Sequence, residues 1–92
     1  MGDVHIALPS SLAQFTGGVR HFSVQGGTVR QVLENMQDAF PLLAGRVVNE
    51  DFQPLPFVRV YVGDEDVRNL GPGDSAVAPG STVMITAAVA GG

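Results

Sequence analysis

The sequence predicts an α+β domain, a β-sheet with one helix laid across one face. Three observations carry that expectation. Several short segments alternate apolar and polar residues, one stretch alone has the period of a helix, and glycine and proline clusters separate them. A chain of 92 residues suffices for one domain and not for two.

Val4, Ile6 and Leu8 alternate with Asp3, His5 and Ala7, giving a strand that Pro9 ends. Phe22 and Val24 alternate with His21 and Ser23, a second strand before Gly26-Gly27. The period then changes. Val29, Val32, Leu33, Met36 and Phe40 fall on one face of a helix. Thr28 offers an N-cap hydroxyl, Gln31 completes a capping box, and Pro41 stops the helix. Residues 42–56 read as a long connection. Val58, Val60 and Val62 alternate with Arg59 and Tyr61 as a third strand. Gly63-Asp64-Glu65-Asp66 reads as a solvated turn, and Val67-Arg68 as a short edge strand. Thr82 to Thr86 is the last strand, with Val83 and Ile85 on one face and Met84 on the other.

One helix covers one face, so the other face of the sheet stays open. Phe57, Tyr61 and Met84 share the parity of that open face and are expected to form a partner-binding patch. Composition narrows the partners. Charged residues are 15% of the chain, against roughly 25% in an ordinary domain, and the net charge is -4. That sign excludes a phosphate-backbone binder, so nucleic acid is not expected.

Cysteine is absent, which removes disulfides, thiolate metal sites and a thiol nucleophile together. The basic residues are Arg20, Arg30, Arg46, Arg59 and Arg68, and with no lysine there is no Schiff-base chemistry. No apolar run approaches the ~20 residues of a membrane helix, and no secretory leader is recognisable. The expectation is a cytoplasmic protein. The serines have no histidine in a nucleophile context and the acids show no acid/base pairing, so no catalytic residues are assigned. His5 and His21 fall on neighbouring strands, but no third ligand accompanies them. The chain is expected to bind no metal or cofactor of its own.

The end of the sequence carries the functional signal: Ala87-Ala88-Val89-Ala90-Gly91-Gly92. Residues 1–86 are read as the domain and 87–92 as a flexible tail. Six residues reach at most ~20 Å, enough to thread a terminal carboxylate into a partner's site. Glycine has no Cβ, so Gly91 and Gly92 pass a narrow channel and leave the acyl carbon open to attack. Val89 and Ala90 are expected to contact the partner that receives them.

Val60-Tyr61-Val62-Gly63-Asp64-Glu65-Asp66-Val67-Arg68, the Thr16-Gly17-Gly18 turn, the Gly26-Gly27-Thr28-Val29 helix entry and the terminal Ala88-Val89-Ala90-Gly91-Gly92 resemble the ubiquitin-like sulfur carriers of the ThiS/MoaD type. That family includes the small subunit of molybdopterin synthase, the thiamine-thiazole carrier and the carrier of bacterial cysteine synthesis, and this chain looks most like the last. The resemblance spans essentially the whole chain. It implies the β-grasp fold, with the first and last strands parallel in the centre of a mixed sheet. It also implies a chemistry. A ubiquitin-activating-type enzyme would use ATP to adenylate the Gly92 carboxylate, and a sulfur donor would displace AMP to leave a thiocarboxylate. In the cysteine branch a pyridoxal-phosphate, cysteine-synthase-like enzyme supplies the acceptor, and a metalloprotease releases the product. The chain would be a protein substrate and not an enzyme. Three alternatives stand beside it: a ubiquitin-like interaction module, a modifier whose activated glycine joins a lysine of another protein, and the small subunit of molybdopterin synthase.

Overall fold

A computed structural model describes residues 3–69 and 76–87. Its elements are β1 (Asp3–Ala7), α1 (Ser10–Ala13), β2 (His21–Gln25), α2 (Val29–Ala39), β3 (Val58–Val62), β4 (Glu65–Asp66) and β5 (Thr82–Ala87), with single 3₁₀ turns at Pro41–Leu43 and Val67–Asn69. The five strands form one sheet in the order β2-β1-β5-β3-β4. β1 and β5 run parallel at its centre, and every other pairing is antiparallel. This is the β-grasp arrangement that the resemblance implies.

Strand parity builds the core. Val4, Ile6, Val24, Val58, Val60, Val83 and Ile85 point to one face and are buried there. The apolar stripe of α2 meets them with Val29, Val32, Leu33 and Met36, all buried. Phe40 is the C-cap of α2 and packs edge-on against Phe22 of β2, ring centroids 4.7 Å apart. The start of α2 is fixed as the sequence suggests. Thr28 Oγ1 accepts from the Gln31 backbone N–H at 3.1 Å. The Gln31 side chain reaches back to the N–H of Gly27 at 2.9 Å, one residue earlier than the usual box.

Gly26 lets this helix start so close to β2. A Cβ there would lie 2.9 Å from the Val32 backbone nitrogen and 2.8 Å from its Cγ2. The backbone atom cannot step aside unless the helix moves. Gly26→Ala is therefore expected to destabilise the domain by about 1–3 kcal/mol, the usual cost of overpacking. Urea unfolding checks this, and a variant as stable as the parent would refute the close approach.

Two expectations require correction. The edge strand is Glu65–Asp66 and not Val67-Arg68. Gly63 takes φ 61° at the first position of a two-residue hairpin, so Val62 pairs directly with Glu65 and the edge begins earlier. Val67 then turns inward and is buried. The second concerns residues 42–56, which are more than a connection. Leu43, Val47 and Val48 complete the core beneath α2. The return of the chain there is held by Asn49, whose side-chain oxygen accepts from the N–H groups of Asp51 and Gln53 at 2.9 and 3.1 Å.

Candidate functional site: the open face and the root of the tail

With helix and insert on one side, one row of side chains crosses the other face of the sheet from edge to edge over all five strands. Ala7 stands opposite both His21 and Met84, Met84 opposite Tyr61, and Tyr61 opposite Asp66. Parity dictates this row, because Val60, Val83 and Ile85 occupy the buried face. Met84 is 46% exposed and Tyr61 is half-buried. They form a cross-strand apolar pair in the middle of the sheet, as their spacing suggests. Ala7, Pro9, His21, Met84 and Thr86 line a shallow groove of about 410 Å³ at the end where β1 and β5 both finish.

Phe57 is placed elsewhere. It is 52% exposed, but it precedes β3 in a turn, so the strand's parity does not extend to it. It lines a separate groove of about 300 Å³ with Leu12, Phe15, Leu55 and Ala87. Arg46 closes that groove, its guanidinium carbon 4.6 Å from the centroid of the Phe15 ring. This second groove depends on α1 and the insert. Leu12 and Phe15, three residues apart after Pro9-Ser10-Ser11, were the sequence signal for it.

The acidic run splits in two. Asp66 is tied into the sheet edge. Its carboxylate accepts from the Arg68 N–H at 2.8 Å and lies 3.6 Å from Arg59 and 3.9 Å from Arg68. Arg68 also donates to the carbonyls of Leu55 and Val58, at 3.1 and 2.9 Å, which fastens the entry to β3. Asp64 and Glu65 are exposed, as a solvated turn should be. The Thr16-Gly17-Gly18 turn is anchored by the buried Thr16, whose hydroxyl lies within hydrogen-bond reach of the carbonyls of Ala13 and Val19.

Both grooves flank the end of β5. That strand lies between β1 and β3, and it continues one residue into the span read as tail, since Ala87 still pairs with Val58. Ala88, Val89, Ala90, Gly91 and Gly92 lie outside the described residues. Among the described residues no group of three or more His, Asp or Glu side chains gathers where it could hold a metal ion, and no helix is long and apolar enough to cross a membrane.

No family model matches the chain. It is 34% identical over 92 residues to the sulfur carrier protein CysO of Mycobacterium tuberculosis, covering 98% of this chain and 99% of the relative. A chain of the crystallised BexX/CysO complex of Amycolatopsis orientalis superposes with a TM-score of 0.86 at 35% identity, over 97% of this chain and 99% of that one. SAMP1 of Haloferax volcanii gives a TM-score of 0.80 at 26% identity, over 99% of this chain and all of that one (100%).

Proposed function

The chain belongs to the CysO family of ubiquitin-like sulfur carrier proteins, and on that premise we propose that it carries sulfur as a thiocarboxylate on Gly92. The supporting observation is the near full-length match to CysO. The fold adds to it, because the middle strand of the sheet ends five residues before Gly92. A partner gripping the open face would thereby hold the root of the tail in a fixed place. Remote binding energy of that kind positions a reacting group, and tethering raises its effective concentration at the acceptor.

The reaction proceeds in two exchanges. An activating enzyme transfers AMP from ATP to the Gly92 carboxylate, releasing pyrophosphate. Hydrosulfide supplied by a sulfur donor then attacks the acyl carbon, AMP leaves, and the thiocarboxylate remains. Its sulfur serves cysteine synthesis in this reading, attacking an acceptor made on a pyridoxal-phosphate enzyme. That attack gives a thioester. The acceptor's amine then takes the acyl group, the acyl C–S bond breaks to free the thiol, and the resulting amide is cut from the tail by a metalloprotease. Tyr61 and Met84 form the docking pair, Phe57 borders the tail root, and Val89 and Ala90 line the path into each partner's site.

The test is intact mass after incubation with ATP, a cognate activating enzyme and a sulfur donor. One oxygen should be replaced by one sulfur, and fragmentation should place the change in the C-terminal peptide. A cognate enzyme that neither adenylates nor thiolates Gly92 refutes the reading. The likeness to SAMP1 favours a second use of the same adenylate, transfer of Gly92 to a lysine of another protein. That use would appear as the whole chain's mass added to a target. The absence of lysine means the chain cannot extend such a product on its own side chains.

A further inference from the structure

His5 and His21 sit on the open face at the β1–β2 end of the groove beside Met84. His5 pairs with Ser23 and Ala7 with His21, so the two histidines are diagonal neighbours on one face. Diagonal positions are ~7–8 Å apart at the backbone, within reach of long side chains. Here the side chains close the gap. Nε2 of His5 stands 3.3 Å from Nδ1 of His21, and the rings are inclined to each other by only 15°. One ring donates to the other, in a direction set by the tautomer. His21 is exposed and His5 half-buried, so the pair is open to solvent.

We propose that this pair is a binding site for a divalent cation of borderline softness, Zn²⁺ or Cu²⁺, held by Nε2 of His5 and Nδ1 of His21. The nitrogen separation carries the inference. A tetrahedral ion with Zn–N bonds of about 2.0–2.1 Å sets two of its ligand nitrogens about 3.3–3.4 Å apart. The separation of the two nitrogens thus already matches that of two ligands on one ion, which would take the place of the shared hydrogen. Coordination asks each ring to keep its proton on the other nitrogen. Tautomer exchange through water provides this with no net loss of a proton.

Imidazole selects the class of ion. Zn²⁺, Cu²⁺ and Ni²⁺ accept nitrogen ligands, whereas Mg²⁺ and Ca²⁺ want oxygen. Ser23 and Thr82 flank His5 in register and bring neither carboxylate nor thiolate. Water completes the coordination, which makes the ion exchangeable and leaves the fold independent of it. The want of a third ligand argued against the pair in the sequence, which could not show the nitrogen separation. A bound ion would add positive charge beside Met84, on the face proposed to dock partners. The site itself stands apart from the tail chemistry.

The experiment is an NMR titration of the full chain, free of any purification tag, with ZnCl₂. Shifts should centre on the His5 and His21 rings and saturate at one ion per chain below millimolar Zn²⁺. Cu²⁺ should bind more tightly than Zn²⁺ by calorimetry, as the general affinity order requires. His5→Gln and His21→Gln should each weaken Zn²⁺ binding at least tenfold, and Mg²⁺ should leave both rings unshifted. Failure to saturate below millimolar Zn²⁺ would overturn the proposal. So would a single variant that binds as the parent does, or an equal response to Mg²⁺.

Discussion

Deleting Gly92 is expected to abolish sulfur charging while leaving the unfolding midpoint unchanged. The stability half of that expectation follows from the core of the described residues, whose buried side chains run from Val4 to Ile85. The chemical half follows from reach. Each residue of extended chain spans about 3.3–3.6 Å, so the shortened tail offers its carboxylate that far from where Gly92 would place it. Misplacement by ~1 Å can already cost about 10²-fold in rate, and here the error is several times larger. Extending the chain past Gly92 fails for a different reason, because the reactive carboxylate becomes a peptide bond. Intact mass checks both variants against the parent under identical charging conditions, with thermal unfolding followed in parallel. A deletion variant charged at the parental rate would show that Gly92 is not the reacting residue.

The second large effect is expected from the open face. Tyr61→Asp combined with Met84→Asp should weaken binding to the activating enzyme about 100-fold or more. The two residues are direct cross-strand partners, so their β-carbons lie about 4.5–5.5 Å apart. Two carboxylates there would each have to be desolvated by an apolar partner surface, at a cost above the roughly 1–3 kcal/mol of a neutral polar group. The free domain tolerates the change better. Met84 is 46% exposed, and both new charges can remain in water until a partner arrives. Titration calorimetry with the activating enzyme measures the loss, and circular dichroism establishes that the variant is folded. Undiminished affinity in a folded double variant would move the docking surface elsewhere, most directly to the groove beside Phe57.

The sequence displayed the helix and four of the five strands because each obeys one period along its own length. Val58, Val60 and Val62 are legible without knowledge of their neighbours, and so are Val29, Val32, Leu33 and Met36. What it hid depends on contacts across the chain. Val47 and Val48 are adjacent and both buried, a pattern that belongs to neither a helix nor a half-exposed strand. Only the packing of the insert beneath α2 explains them. The edge strand shifted because one hairpin geometry at Gly63-Asp64 decides which residue faces Val62. Strand parity carried back to Phe57 runs one residue beyond the start of β3, where a turn resets the direction. Tyr61 and Met84, inside their strands, were placed correctly by the same parity. The histidines show the limit most clearly, since spacing puts them on adjacent strands, whereas the approach of their nitrogens to 3.3 Å depends on side-chain conformation.

The position of β5 has a consequence for how the molecule is made. β1 and β3 do not pair with each other, and each is bonded to β5. Without residues 82–87 nothing would join the β1–β2 pair to the β3–β4 pair. Translation delivers the joining strand after all the others, and closing so distant a contact is slow. The row Ala7-Met84-Tyr61 is equally unfinished until that moment, because Met84 is its middle member. A nascent or half-unfolded chain would thus lack the face that an activating enzyme is proposed to grip. The strand that leads to Gly92 is also the one that joins the two halves of the sheet, so a partner that gripped this face would at the same time be inspecting the fold.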